Sequence, residues 1–128
     1  MIHYERSLEL EEQIIAITRK LGLTHIDLSR VVGIRSRGSR SRHTLARCHV
    51  LSRIMQKALG IRAHYIIEII SDNFDRLSEE EQIKTIIHEL LHIPKSFKGG
   101  FRHHRPYVNK RTVDKMYTLF LKTDDDTL

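Results

Sequence analysis

Cysteine occurs once, at position 48, which excludes an internal disulfide and leaves no second thiolate for a zinc-sulfur site. A lone Cys48 is expected to behave as a small buried apolar residue in a reducing, cytoplasmic setting. Long apolar runs are also missing. None approaches the 18 or more residues of a membrane-spanning helix, so no membrane association is expected. The opening MIHYERSLELEEQ is too acidic and too patterned to read as a signal or transit peptide. Internal repeats and low-complexity linkers are absent. At 128 residues the chain can enclose one core and not two, so a single domain is expected over residues 1–128, with an acidic tail of about 123–128 left flexible.

Acidic charge is scarce relative to basic. The formal net charge is +6, and Asp124, Asp125 and Asp126 crowd three of the 16 acids into the tail. The remaining surface is more basic still and favours acidic partners, nucleic acid among them. The stretch Arg35–Arg42, RSRGSRSR, gives that preference a place, since it combines turn chemistry with four arginines. Its competing role is that of a plain solvated turn.

Apolar spacing predicts the elements. SLELEEQIIAITRKL, residues 7–21, sets Leu10, Ile14, Ile17 and Leu21 on one stripe of a helix closed by Gly22. HIDLSRVVGI alternates through Ile26, Leu28, Val32 and Ile34, with Arg30 the exception, and reads as a strand. TLARCHVL can alternate again beyond the basic turn, so the two strands are expected to form a hairpin with a basic tip. Helical spacing returns with Val50, Leu51, Ile54, Met55 and Ala58, capped by Gly60. AHYIIEII, residues 63–70, is β-branched and aromatic over a strand's length. A last helix carries Val113, Met116, Tyr117, Phe120 and Leu121 as its stripe. The order α-β-β-α-β-α-loop-α describes an α+β domain. A small sheet of three strands, or slightly more, packs against one central helix, flanked by the N- and C-terminal helices.

That central helix holds the most informative string, His88-Glu89-Leu90-Leu91-His92. Over residues 79–92, at about 100° per residue, Ile83, Ile86, Ile87, Leu90 and Leu91 share one arc, with Glu81, Thr85, His88, Glu89 and His92 opposite. His88 and His92 then stand roughly 6 Å apart at Cβ, the separation two ligands of one tetrahedral zinc require. Glu89 offers a carboxylate to water at the ion, which completes the H-E-x-x-H pattern. Both helix ends are marked: Ser78 with Glu79, Glu80 and Glu81 reads as a capping box with acids in the first turn, and Pro94 stops the helix. Two histidines merely facing solvent would leave Glu89 and the missing apolar residues of that arc unexplained.

A catalytic zinc needs a third protein ligand and an open fourth position. No Glu follows Glu89, which excludes a downstream glutamate, and the next histidine after His92 is His103, which excludes the short H-E-x-x-H-x-x-G-x-x-H spacing. His103, His104 and Asp114 remain. The loop from Ile93 to Arg102 is long enough to fold back, and Gly99-Gly100 lets it turn sharply. Adjacent histidines in an extended segment face opposite ways, so one of the pair can serve, and His104 is preferred.

HELLHIPKSFKGGFRHHRPYV resembles a small family of phage and archaeal metallopeptidases, in which an HELLHIP helix end is followed by Gly-Gly and Arg-x-His. His88, Glu89 and His92 match the helix, Gly99 and Gly100 the glycine pair, and Arg102 with His104 the Arg-x-His. The resemblance extends through the SRGSRSR turn, LARCHVL and the YIIEI strand, and covers most of residues 25–108. It implies a minimal zincin-like fold, akin to the SprT-like proteases, with the strand before the motif helix bordering the substrate cleft.

The expected function is Zn2+-dependent hydrolysis of a peptide or protein substrate, with His88, His92 and His104 as metal ligands and Glu89 as general base. Arg102, His103 and Tyr107 are candidates for oxyanion contact. A substrate would lie antiparallel along strand 63–70, where Glu68 is a candidate to buttress a ligand histidine. Two other readings stand beside this one. One is a metal-dependent endoribonuclease similar to the YbeY-type enzymes, which have Gly where this chain has Glu89. The other is a zinc-containing, DNA-associated binding module with little hydrolytic turnover.

Overall fold

The computed structural model describes residues 1–123, so the predicted acidic tail lies, from Asp124 onward, outside the described residues. Along the chain run β1 (His3–Arg6), α1 (Leu8–Lys20), a 3-10 turn (Leu28–Arg30), β2 (Val31–Arg37), β3 (Ala46–Val50) and α2 (Arg53–Leu59). They are followed by β4 (Tyr65–Ile70), α3 (Ser71–Phe74), α4 (Glu79–Leu91) and α5 (Lys110–Lys122). The result is an α+β protein with a four-stranded mixed sheet in the order β1-β2-β4-β3.

The position of β4 organises that sheet. Five of its six residues are buried, and a strand covered on both faces belongs in a sheet interior. β2 pairs with it in parallel, from Val31 opposite Tyr65 to Ser36 opposite Ile70, and β3 pairs antiparallel on the other side, with Cys48 opposite Ile67. The expected hairpin between residues 25–34 and 44–51 therefore does not form, because β4 lies between its two arms. The basic loop instead crosses the end of β4, where Asn73 Nδ2 donates to the carbonyls of Ser41 (3.0 Å) and Thr44 (2.8 Å). The first predicted strand is also shorter. Asp27 accepts from Ser29 N–H and Arg30 Nε and caps the 3-10 turn, which explains why Arg30 broke the alternation. β1, whose four residues are all exposed, has no apolar pattern to announce it.

One face of the sheet holds the core. Leu10, Ile14 and Ile17 of α1 and Ile86, Ile87 and Leu90 of α4 pack with Tyr65, Ile67 and Ile69, all at most 3% exposed. The stripe predicted for α5 is half realised, with Val113 buried and Leu121 64% exposed. The stripe predicted for residues 50–58 is not a core stripe, since α2 buries no residue and Ile54 is 78% exposed.

α1 approaches β2 most closely at Gly33. Ser7 N–H donates to the Gly33 carbonyl and Gly33 N–H to the Glu11 carboxylate, both at 2.9 Å. A Cβ at Gly33 would lie 3.0 Å from Leu10 Cγ and Glu11 Cγ. Gly33→Val should thus destabilise the fold by about 1–3 kcal/mol, read from urea unfolding with an unchanged m-value; a variant as stable as the wild type would refute this close packing.

Candidate metal centre

α4 presents the site from the arc opposite its core stripe. Its start is fixed by Ser78 Oγ, which accepts from Glu81 N–H (3.2 Å), and three acids fill the first turn. This is the Ser78 half of the predicted capping box; no return bond from Glu81 is made among the described residues. At the other end His92 closes the helix, with its N–H directed at the carbonyls of Glu89 and Leu90.

From there the chain turns back. Arg102 N–H donates to the His92 carbonyl (2.7 Å), and His92 Nδ1 lies 2.8 Å from the Arg102 carbonyl. A carbonyl can only accept, so Nδ1 carries the proton and Nε2 keeps its lone pair. Tyr65 holds the intervening loop: its hydroxyl donates to Gly100 O (2.8 Å) and accepts from Gly99 N–H (3.2 Å). Gly99, at φ 113°, provides the left-handed conformation the turn needs.

These contacts deliver His104 to the helix. The ligand atoms of His88, His92 and His104 all lie within 4.8 Å of one another, and the three rings sit 4.8–5.4 Å apart between centroids. Donors around a tetrahedral ion with bonds of about 2.0–2.1 Å are roughly 3.4 Å apart, so a small inward adjustment brings this set to bonding distance. An all-imidazole donor set suits zinc and its neighbouring transition metals. The residues present fit a metal ion.

Glu89 is 7% exposed and lies beside this cluster, its Oε2 4.0 Å from His88 Nε2. Burial pushes its carboxyl up to about 7, partly offset by hydrogen bonding from the Cys48 backbone. Burial, then the neighbouring His92 and His104, lowers His88 to about 4, and burial also lowers His92. Cys48 is half-buried, and burial drives its thiol well above the ordinary value. Its main chain approaches Glu89, a contact between β3 and α4 that no sequence pattern announces.

The other predicted residues fall outside the cluster. Asp114 is tied to Lys110 (2.8 Å) and Lys84 (3.2 Å). His103 is exposed and lines a 280 Å³ cavity with Glu89, His92 and Arg102, while the Arg102 guanidinium stacks 4.2 Å over the Tyr107 ring. A second cavity of 540 Å³ reaches from Thr44 and Ala46 across His88 and Glu89 to Val113, so clefts flank Glu89 on both sides. Strand 63–70 cannot accept a substrate strand, because β2 and β3 occupy both its edges. Among the described residues, the open edge beside the site belongs to β3.

Glu68 is likewise no buttress to a ligand histidine. It accepts from Ser36 Oγ (2.7 Å), lies 2.7 Å from His49 Nε2 and pairs with Arg47 at 3.6 Å. The alternation of β4 sends it to the sheet face opposite Ile67 and Ile69.

Three convergent imidazoles with a carboxylate at their side, in a cleft beside an open strand, define a small α+β protein able to hold a metal ion. The chain belongs to the family described as putative phage metallopeptidase, whose sequence model matches residues 2–120. That membership makes it a metallopeptidase in general terms, with a metal and a peptide or protein substrate. No curated protein and no solved structure matches the chain. No helix among the described residues is long and apolar enough to cross a membrane.

Burial raises the Glu68 carboxyl, but the bonds from Ser36 and His49 and the charge of Arg47 outweigh it and hold it below its ordinary 4.5. A lowered folded value means stability that is present above the unfolded pKa and lost as pH falls through the folded one. Glu68→Gln should therefore cost more stability at pH 7 than at pH 3, seen as a gap between urea midpoints that narrows on acidification. A gap independent of pH would contradict the assignment.

Proposed function

We propose that the protein is a zinc peptidase in which His88, His92 and His104 hold the ion and Glu89 moves the proton. The observation that carries the reading is the convergence of these three imidazoles beside a buried carboxylate, in clefts next to the unpaired edge of β3. When bound, zinc supplies Lewis acidity that polarises a scissile carbonyl and brings a water's pKa close to 7.

The chain's own residues do the rest. The Arg102 carbonyl holds His92 Nδ1, which leaves the Nε2 lone pair as the one that would bind an ion. Glu89 accepts the proton of the attacking water and returns it to the leaving amine, a task its partly desolvated carboxyl and short reach suit. β3 offers main-chain donors and acceptors to an extended substrate that adds as a further, antiparallel strand. Such pairing positions the scissile bond over Glu89 without demanding particular side chains.

Two variants test the roles separately. His92→Ala should lose the single zinc equivalent bound by the wild type, measured by metal analysis after dialysis; undiminished zinc would exclude this site. Glu89→Gln should retain the metal while kcat for casein hydrolysis falls by about 10²–10⁴. Hydrolysis at the wild-type rate would remove Glu89 from the chemistry.

A further inference from the structure

Between Asp27 and Glu68 the chain runs for forty residues without an acid, yet with eight Arg and one Lys. An even spread of its 16 acids would place about five there. Three of these cations are committed: Arg30 to Asp27 and Arg35 to Asp75 at 2.9 Å, and Arg47 to Glu68 at 3.6 Å. The predicted basic turn thus loses Arg35 to an internal contact. Arg37, Arg40, Arg42, Arg53, Lys57 and Arg62 are exposed, and among the described residues none of them makes an ion pair.

Their placement is not random. Arg40 and Arg42 belong to the segment that leads into β3, Arg37 ends β2, and Arg53, Lys57 and Arg62 lie on or just after α2, which follows β3. The open edge of β3 therefore runs between two groups of unneutralised cations. Both groups are fixed beside the cleft. Asn73 pins the entering loop, whose His43 and Thr44 line the larger cavity with Glu89. Gln56 of α2 donates to the carbonyl of Lys98, in the loop that carries His104 to the site. Ile54, Met55 and Leu59 of α2 and Ile61 just after it are exposed, between 45% and 78% each, and such an apolar patch with a basic rim marks a contact surface.

We propose that the β3 edge and its two cationic flanks recognise an acidic, extended polypeptide segment, with acids on both sides of the bond at Glu89 and an apolar residue toward α2. The cleavage part of this proposal rests on the peptidase reading. An unpaired strand edge matches the main chain of another extended polypeptide, which a sugar-phosphate backbone cannot reproduce. Complementary charge adds selection and speed of encounter. Antiparallel to β3, the segment runs from Val50 toward Ala46. Its N-terminal part then meets the apolar and basic side chains of α2, and its C-terminal part meets Arg40 and Arg42.

The test uses the full-length Glu89→Gln protein and fluorescence anisotropy with three labelled probes: an acid-flanked peptide, its lysine-flanked counterpart, and a single-stranded oligonucleotide of the same charge as the first. The acidic peptide should bind at least tenfold tighter than the lysine peptide, and the advantage should shrink as salt rises from about 50 to 200 mM. Arg40→Glu with Arg42→Glu, and separately Arg53→Glu with Lys57→Glu, should each weaken its binding about tenfold with the melting temperature unchanged. Equal binding of the two peptides, or indifference to both reversals, overturns the proposal. Tighter binding of the oligonucleotide assigns the surface to nucleic acid and also overturns it. With Glu89 restored, kcat/KM should follow the same peptide order. If neither peptide is cleaved while the acidic preference in binding persists, the peptidase reading fails and the recognition surface stands.

Discussion

The candidate site depends on the chain returning to His92 after leaving it. The paired contacts between the His92 and Arg102 main chains and the His92 ring end the helix, fix the imidazole tautomer and aim the next residues at the cluster. Each such bond contributes only about 1 kcal/mol net, but a partly buried network holds its members together beyond that sum. Tyr65, His25 and the glycine turn extend the network: the Tyr65 hydroxyl bridges Gly99 and Gly100, and His25 Nε2 lies 3.2 Å from the Ile93 carbonyl. Without that return the helix would present two histidines and the third would remain on a distant loop.

The sheet supplies the other half of the arrangement. Because β4 must be interior, β3 is forced to the edge, and its antiparallel run places Cys48 beside Glu89. A single carboxylate secures this order from the far face, where Glu68 on β4 holds Ser36 of β2 and His49 of β3. The residue expected to buttress a histidine of the cluster thus supports the edge strand β3 instead. Structural and chemical tasks are divided between the two faces of one sheet.

What was legible in the sequence followed from local periodicity. The apolar arc of α4, the Ser78 cap and the stripe of α1 each encode a helix face, and the structure buries those faces. His88 and His92 follow from the same 3.6-residue period, and the geometry brings His104 to them while leaving His103 and Asp114 elsewhere. Strand pairing was not legible, since turn residues at 35–42 look alike whether the loop closes a hairpin or crosses a third strand. The apolar residues of α2 stay exposed for a related reason: spacing reports a face, not what that face meets. The Glu68 contacts and the Cys48 approach join residues distant in sequence, and no pattern in the chain carries them.

The central claim is a three-histidine metal centre, and its most direct measurement is X-ray absorption at the zinc edge on purified protein carrying one equivalent of zinc. The account predicts three imidazole nitrogens and one further light atom at about 2.0–2.1 Å, with no sulfur shell. A sulfur shell at about 2.3 Å, which would bring Cys48 to the ion, or fewer than three imidazoles, would contradict it.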